Sequence, residues 1–513
     1  METVFSIKNL LYPNCFMATL NLRDAYLHVP IHPAFQKFLR IAVKMGTEIR
    51  HFQFQALPFG LSSSPRIFTK VLGEALAPLR LKAITIIPYL DDLLIVAESH
   101  QKLLADLQTV LDFLQSLGWL INREKSSLVP AQRVKYLGYD FCSVVQKVFL
   151  PEEKVSKMVQ AVSTLQTNQL VSLREISRTV GLMTSCFPAV PWARFHQRPL
   201  QRFLLENWDG DARSLESKVW LPTKVKRSLW WWRKNLHLTK GLPWSISISK
   251  RITTDASAWG WGAHLKDQVA QGKWSLKEAR ASSNQRELLA VHRALQAFQS
   301  EIRGHNLQIL SDNIATVAYL NKQGGTRSRI LQGIAQEMLS WAEVNLGSIS
   351  AVHLKGTQNS LADYLSRHRV ERDNWSLHPE VFAEVTNKWG YPEADLFANQ
   401  ENSKTEEFFS LNPGDRSLGI DALANPWPFD LCYAFPPIRL IPDELRKFLL
   451  EETDLILIAP FWPKRPWFSL LQSLVSEPPL RLQNREDLLS QGPVSHPQVV
   501  SLSLTSWYLK RRY

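Results

Sequence analysis

The chain has 513 residues, too many for one ordinary domain, so three or four domains are expected. Hydrophobic residues make up 45% and charged residues 21%, a composition typical of folded protein that argues against long disordered regions. The formal net charge of +13 favours polyanions such as nucleic acids as partners, although basic proteins also bind acidic proteins and membranes.

The cysteines and the apolar segments exclude several further classes of protein. Cys15, Cys142, Cys186 and Cys432 lie far apart without a CxxC pair, which excludes a zinc ribbon and argues against a disulfide framework. No apolar run reaches the about 18 residues that a membrane span needs, and the N-terminus lacks the pattern of a signal peptide. We therefore expect an intracellular protein, cytoplasmic or nuclear, that is neither secreted nor bound to a membrane.

Four regions follow one another along the chain. Residues 1–145 alternate short β-like runs with helical patterns, which predicts an α+β layout around a central sheet. Residues 146–245 are mostly helical in pattern and contain a Trp-rich stretch at 230–232. Residues 246–370 begin as a β-meander and continue with helices and strands. Residues 371–513 are rich in prolines and aromatics around one strong buried strand at 454–462.

The sharpest local pattern in the first region is Tyr89-Leu90-Asp91-Asp92, which stands between two strongly apolar runs. Two adjacent acids between buried strands predict a tight turn from which both carboxylates can reach a divalent ion. Two-metal nucleotidyl transfer needs such a pair. An ordinary Asp-Asp hairpin turn is the alternative, and the pair alone does not exclude it.

The segments around this turn carry a family resemblance. They are residues 20–30 (LNLRDAYLHVP), 57–61 (LPFGL), 64–65 (SP), 122–126 (NREKS) and 136–139 (YLGY). In this order and spacing they closely resemble the reverse transcriptases of retroviruses and gypsy-type elements. The whole chain, with the regions that follow, most resembles the polymerase protein of DIRS-type retrotransposons.

The resemblance implies a reverse-transcriptase palm over residues 1–145. It assigns Asp91 and Asp92 as the paired catalytic acids that bind metal. It further assigns Tyr26 as the gate that excludes a ribose 2′-hydroxyl, and Asp24 with Ala25 as the positions under the incoming triphosphate. Phe59 would lie in the loop that contacts the nucleotide, and Lys125 would assist the pyrophosphate.

Two departures from the family pattern predict an impaired polymerase. The first metal-binding acid of the family falls three residues before Asp24, where this chain has Asn21. An amide is a poor ligand for a hard divalent ion, because it offers one carbonyl oxygen and no charge. Met1 also lies only some twenty residues before this motif, so the fingers subdomain is expected to be missing.

The region 146–245 is expected to form a thumb and connection. Residues 172–176 (SLREI) are similar to the start of a thumb, and its basic helices could follow a duplex backbone. Helices that only join two domains are the alternative. Likewise, Trp230, Trp231 and Trp232 could stack on bases or belong to a core.

Residues 246–370 supply a second set of acids. Asp255 lies near the end of a strand, Glu287 early in a helix, Asp312 at a strand end and Asp363 in a final helix. Four carboxylates that converge above one sheet edge would bind two ions, which activate a water and stabilise the leaving oxygen. The order closely resembles the RNase H fold of retroelement polymerases, which implies these four as catalytic and metal-binding acids with two Mg²⁺ or Mn²⁺ ions.

His353 has two interpretations. It precedes Asp363 by the same interval as the mobile histidine of retroviral RNases H, which assists proton transfer and product release. It also alternates with Ile349 and Ala351 along an apparent strand, where a histidine can be purely structural.

Residues 371–513 more weakly resemble the adenine-N6 methyltransferase region of DIRS-type elements, which implies an α/β domain. The resemblance lies in segments 375–382, 395–399, 433–437 and 457–460. The family motif has Asp or Asn before Pro-Pro and an aromatic after it, to accept the adenine amino group and stack on the flipped base. Here Phe435 and Ile438 fill those places, so we expect no methyl transfer.

The sequence thus predicts an enzyme that cuts the RNA of RNA–DNA hybrids on a reverse-transcriptase frame. Its expected partners are RNA–DNA hybrid, RNA template and DNA, with dNTP if the polymerase works. One alternative is a fully active reverse transcriptase with an upstream start. Another is a non-catalytic nucleic-acid-binding remnant.

Overall fold

The computed structural model describes residues 3–168, 170–208, 210, 214–370, 373–412 and 414–511. The chain divides into two compact units, one of Met1–Ser247 with Lys322–Glu343 and one of Ile248–Asn321 with Val344–Tyr513. No helix within the described ranges is long and apolar enough to cross a membrane. All four cysteines are free thiols.

The first 145 residues have the α+β layout that the sequence predicts. Their elements are α1 (Val4–Lys8), β1 (Phe16–Asn21), α2 (Pro33–Gln36), β2 (Arg40–Met45), β3 (Glu48–Gln53), α3 (Ser64–Leu81), β4 (Thr85–Tyr89), β5 (Asp92–Ala97), α4 (His100–Ser116), β6 (Ser127–Ala131), β7 (Arg133–Tyr136) and β8 (Tyr139–Cys142). The central sheet has the order β4-β5-β1-β6 and is antiparallel throughout.

Strand β5 explains the apolar run that follows the acid pair. Leu93, Ile95 and Ala97 pack in a core with α3 and α4, whereas Leu94 and Val96 pack in a second core with α5 (Glu152–Thr167). A strand that is buried on both faces reads as a continuous apolar run instead of an alternating one. The acid pair at its start is therefore anchored between two cores.

The region 146–245 is less purely helical than its pattern predicts. Beside α5 it contains β9 (Lys147–Phe149), β10 (Leu170–Ser172), α6 (Leu173–Thr184), α7 (Ala193–Asn207), β11 (Lys218–Trp220), α8 (Thr223–Ser228), α9 (Asn235–Thr239) and β12 (Leu242–Pro243). The short strands pair locally or extend β7 and β8 into a four-stranded sheet. Trp232 is fully buried whereas Trp230 is 57% exposed, so the Trp run is split between core and surface.

Residues 248–370 form a five-stranded sheet of order β15-β14-β13-β16-β17. The elements are β13 (Lys250–Ala256), β14 (Gly260–Leu265), β15 (Gln268–Lys273), α10 (Leu276–Ala279), α11 (Ser283–Ala297), α12 (Gln299–Ile302), β16 (Asn306–Ser311), α13 (Ile314–Asn321), α14 (Arg329–Asn345), β17 (Ser348–His353) and α15 (Ser360–Arg367). Strands β13, β14 and β15 form the predicted meander, while β16 and β17 run parallel to β13.

Helix α15 lies directly on β14 because Gly262 has no side chain. A Cβ on Gly262 would meet the backbone oxygen of Ala362 at 2.4 Å and the Cβ of Leu365 at 2.5 Å. The helix that carries Asp363 is therefore held against the sheet by a contact that only glycine permits.

The C-terminal residues form an α/β layer around a seven-stranded sheet of order β21-β20-β19-β22-β23-β27-β24. The elements are β18 (Ser376–Leu377), α16 (Pro379–Trp389), β19 (Ala394–Asp395), β20 (Glu407–Ser410), β21 (Gly419–Ile420), β22 (Leu431–Ala434), α17 (Ile441–Phe448), β23 (Asp454–Pro460), α18 (Trp467–Leu474), β24 (Leu480–Arg481), β25 (Leu489–Gln491), β26 (Val494–Ser495), α19 (Val499–Leu502) and β27 (Leu504–Leu509). The predicted buried strand is β23, an interior strand between β22 and β27. Strands β19 to β23 are parallel, and β27 is antiparallel to β23.

Candidate active sites

The paired acids of the first unit lie at a tight turn, as the sequence predicts. Tyr89 pairs with Asp92 across β4 and β5, which leaves Leu90 and Asp91 as the two turn residues. Leu90 has a φ of 52°, in the left-handed region. The hydroxyl of Tyr136, on strand β7 of a neighbouring sheet, donates to the carbonyl oxygen of Asp92 at 3.2 Å. This hydrogen bond anchors the backbone beside the turn.

Asn21 lies opposite this turn at the end of β1, in register with Asp92. Its Nδ2 donates to Asp92 Oδ1 at 2.7 Å and to Asp91 Oδ2 at 3.2 Å. The side chain is thus at the position from which a third acid would reach the same ion. An amide N–H group, however, competes with a cation for the two carboxylates.

The environment of Asp92 disfavours its charged form. Burial is the main cause of its raised pKa, and the charge of Asp91 adds to it, whereas the Asn21 hydrogen bond and the charge of Lys125 lower it. Lys125 therefore lies close enough to act on the acid pair. Tyr26 also lies close to the acid pair, since its pKa is raised by burial and, to a smaller extent, by the charge of Asp91.

The residues assigned to the nucleotide are partly assembled. The rings of Tyr26 and Phe59 are 4.9 Å apart, and Phe59 is 70% exposed, as a ring that contacts a ligand would be. Ala25 is buried at the start of a short 3-10 turn. Asp24 instead makes an exposed ion pair with Arg23 at 3.5 Å.

Three of the four acids of the RNase H-like region converge. Carboxylate oxygens of Asp255, Glu287 and Asp312 all lie within 4.8 Å of one another. Parallel β13 and β16 are neighbours, so Asp255 near the end of one and Asp312 directly after the other meet at the same edge of the sheet. Helix α11 brings Glu287 to that edge from its second turn.

The electrostatics of this cluster match a cation site. Asp255 is 5% exposed and Glu287 6% exposed, and burial, followed by the negative charges of neighbouring acids, raises their pKa values to about 6 and about 9. Glu287 Oε2 is buried without a hydrogen-bond partner. Two hard divalent ions would supply the positive charge that these oxygens lack.

Asp363 lies close by but outside this group. Its Oδ1 accepts from Arg367 Nε at 2.8 Å and pairs with Nη2 at 2.7 Å. Its charge contributes to the raised pKa of Asp255, which places it near the cluster. The structure therefore brings three of the predicted acids together and pairs the fourth with a cation.

His353 ends β17 on the exposed side. Its Nε2 is 3.0 Å from the backbone oxygen of Asp312, while Ile349 and Ala351 are buried along the same strand. Its position beside the acids favours the catalytic interpretation over a core role.

One polar residue beside the acids escaped the sequence interpretation. Asn359, just before α15, is buried and donates from Nδ2 to Asp255 Oδ1 at 3.3 Å. Asn359 lies in a polar loop without helical or strand periodicity, so the sequence pattern did not single it out. Its hydrogen bond with Asp255 in the folded protein identifies it as part of the site.

In the C-terminal layer, the suspected methyltransferase motif follows β22. Asp395 ends the neighbouring strand β19 and accepts hydrogen bonds from the backbone N–H groups of Phe397 and Lys404. Burial raises its pKa to about 7. The sheet order reverses between these two strands, which is the place where open α/β sheets bind ligands. Phe435, however, has no polar group to offer there.

Two regions of the chain match known protein families. Residues 5–141 match the family "Reverse transcriptase (RNA-dependent DNA polymerase)", and residues 247–340 match the "RNase H-like domain found in reverse transcriptase". The chain is therefore similar to a reverse transcriptase in its first region and to an RNase H-like domain in its third.

Its relatives include viral polyproteins. The chain is 26% identical over 373 residues to the genome polyprotein of Petunia vein clearing virus (isolate Shepherd), covering 70% of this chain and 16% of that one. It is 25% identical over 335 residues to the enzymatic polyprotein of Cauliflower mosaic virus (strain D/H), covering 62% and 46%.

Among solved structures, it is similar to the foamy viral protease–reverse transcriptase in complex with an RNA/DNA hybrid, with 19% identity, a TM-score of 0.42, and 74% of this chain and 49% of that chain covered.

Proposed function

We propose that this protein cuts the RNA strand of RNA–DNA hybrids with two Mg²⁺ or Mn²⁺ ions, and that it is the polymerase-region protein of a DIRS-type retrotransposon. The observation that carries the nuclease activity is the convergence of Asp255, Glu287 and Asp312 within 4.8 Å. Acids gathered at one sheet edge, of which Asp255 and Glu287 are buried with raised pKa values, are typical of a site for two-metal hydrolysis.

The acids and His353 would have different roles in the reaction. Asp255, Glu287 and Asp312 would hold the ions, which supply the Lewis acidity for attack of a water on the phosphodiester. Asp363 completes the set when its carboxylate leaves Arg367. His353, exposed beside Asp312, is suited to move a proton near the scissile phosphate.

Polymerase activity is proposed to be impaired. Asp91 and Asp92 can hold one ion, but Asn21 donates hydrogen bonds to both of them instead of adding a third charge. The 3′-hydroxyl of a primer would then keep a pKa far above neutral, and its attack on dNTP would be slow.

The C-terminal layer is proposed to be a methyltransferase-like domain that has lost its chemistry. The order of its first five strands, 3-2-1-4-5, is that of a doubly wound sheet. An antiparallel strand inserted beside the fifth strand supports a methyltransferase-like arrangement. With Phe435 and Ile438 in the motif, the domain is suited to bind nucleic acid or a partner without transferring a methyl group.

The test of the nuclease is cleavage of a labelled RNA–DNA hybrid by the full chain in Mg²⁺ and in Mn²⁺. Asp312→Asn removes a charged ligand and should lower the rate by about a hundredfold or more. The matched control is Asp267→Asn, an exposed acid in the turn between β14 and β15, which should cut like wild type.

Three outcomes decide between the candidate functions. A wild-type chain that leaves the hybrid uncut in both metals favours a non-catalytic nucleic-acid-binding protein. An Asp312→Asn variant that cuts as well as wild type shows that the site is elsewhere. Efficient primer extension by the wild-type chain favours a working reverse transcriptase.

A further inference from the structure

Asn359 is an enclosed polar side chain beside the three acids. It is 1% exposed, and its Nδ2 donates to Asp255 Oδ1 and to the backbone oxygen of Thr254, both at 3.3 Å. Its own Oδ1 is buried without a partner. A buried, unsatisfied amide oxygen destabilises a fold, so this residue is poorly explained as a stabiliser of the fold.

The backbone of Asn359 connects a second acid to the first. Asn359 immediately precedes α15, and its carbonyl oxygen accepts from the N–H of Asp363 at 3.0 Å. Its side chain makes no capping hydrogen bond to the helix. Asn359 therefore links the strand that carries Asp255 to the helix that carries Asp363, and its amide group bonds that strand through both the Asp255 carboxylate and the Thr254 backbone.

We propose that Asn359 is a positioning residue of the metal site, which orients the Asp255 carboxylate and sets its spacing to Asp363. The amide donor occupies one oxygen lone pair of Asp255 and limits rotation of the carboxylate, which leaves the remaining lone pairs of Asp255 free to hold the ions when they bind. Removing a residue that orients a metal ligand in this way lowers metal affinity or activity about tenfold to a hundredfold. This inference rests on the proposed two-ion site.

The experiment measures Mn²⁺ binding to the full chain by calorimetry, beside hybrid cleavage over a range of Mn²⁺ concentrations. The component of binding that Asp312→Asn abolishes defines the site. In Asn359→Ala, the Kd of that component should rise about tenfold to a hundredfold. The half-saturating Mn²⁺ concentration for cleavage should rise by the same factor, with the KM for the hybrid unchanged.

The matched control is Asn321→Ala. Asn321 also bridges two elements through its amide, since its Nδ2 and Oδ1 bond the backbone oxygen and nitrogen of Ala351 at 2.8 Å each, but it contacts no acid. It should lower the melting temperature and leave Mn²⁺ affinity within about twofold of wild type. If Asn359→Ala does not fold, Asn359→Ser replaces it, and its Kd should rise in the same direction.

The outcomes separate this inference from the nuclease assignment. If wild type binds Mn²⁺ through Asp312 and Asn359→Ala binds it equally well, the positioning role is wrong while the site stands. If Asn359→Ala and Asn321→Ala lose only melting temperature, Asn359 is structural. If wild type shows no Mn²⁺ binding that depends on Asp312, the proposed site and this inference both fail.

Discussion

The side-chain amide of Asn21 donates a hydrogen bond of 2.7 Å to Asp92, across the end of the β1–β5 pair. Where the reverse-transcriptase resemblance predicts three acids around an ion, this chain has two acids and an amide. The hydrogen bond partly offsets the burial that raises the pKa of Asp92. We expect this relationship to stabilise the turn without metal and to weaken metal binding there.

Asn21→Asp is therefore expected to make the thermal stability of the first domain depend on a divalent metal ion. Without an ion, a third carboxylate facing Asp91 and Asp92 should lower the melting temperature, because like charges are forced together. Mn²⁺ should restore it, and primer extension on an RNA template should increase. Asn21→Ala is the control, since it removes the amide without adding charge. Robust DNA synthesis by the wild-type chain would contradict the idea that Asn21 is the main chemical lesion.

Glu287 should make the metal-free protein less stable at high pH. Its pKa is raised from 4.5 to about 9 in the folded chain, mainly by burial. Folding therefore favours the protonated carboxyl, and the free energy of unfolding should fall as the pH rises from about 4.5 to about 9.

The variant Glu287→Gln should remove most of this pH dependence. In EDTA at pH 8 it should melt above wild type, as measured by thermal unfolding. Saturating Mn²⁺ should reverse the order, because only the carboxylate is stabilised by the ion. A variant that melts below wild type in EDTA would show that Glu287 is stabilised by contacts other than a cation.

His353→Ala tests the proton-transfer role. The side chain is exposed, so its loss should leave the melting temperature unchanged while lowering turnover on the hybrid by about a hundredfold. The KM for the hybrid should change little. His305→Ala, before the opposite end of β16, should behave as wild type. Unchanged turnover in His353→Ala would assign the histidine no part in the reaction.

The C-terminal layer should transfer no methyl group. Phe435 cannot accept the hydrogens of an adenine amino group, and Ile438 has no aromatic face for a flipped base. The measurement is incorporation of label from S-adenosylmethionine into adenine-containing duplex DNA, with an active adenine methyltransferase run in parallel. Label that enters the DNA and disappears on Pro436→Ala would overturn this expectation.

The sequence by itself predicted the elements that short-range patterns encode. The acid pair between apolar runs predicted the β4–β5 turn, and the meander after residue 246 predicted β13 to β15. The acids of residues 246–370 predicted a cluster of four carboxylates, of which the structure brings Asp255, Glu287 and Asp312 together. A few consecutive residues are enough to show strand or helix periodicity and the side-chain types that metal chemistry needs. Short-range patterns were therefore sufficient for these predictions.

Only the tertiary structure decided how side chains far apart in the chain are paired. It turned the Asn21 amide towards both acids and enclosed Asn359 against Asp255. It also divided the Trp run, burying Trp232 and exposing Trp230. Such outcomes depend on hydrogen-bond geometry and close packing between distant segments, and local sequence patterns do not encode them.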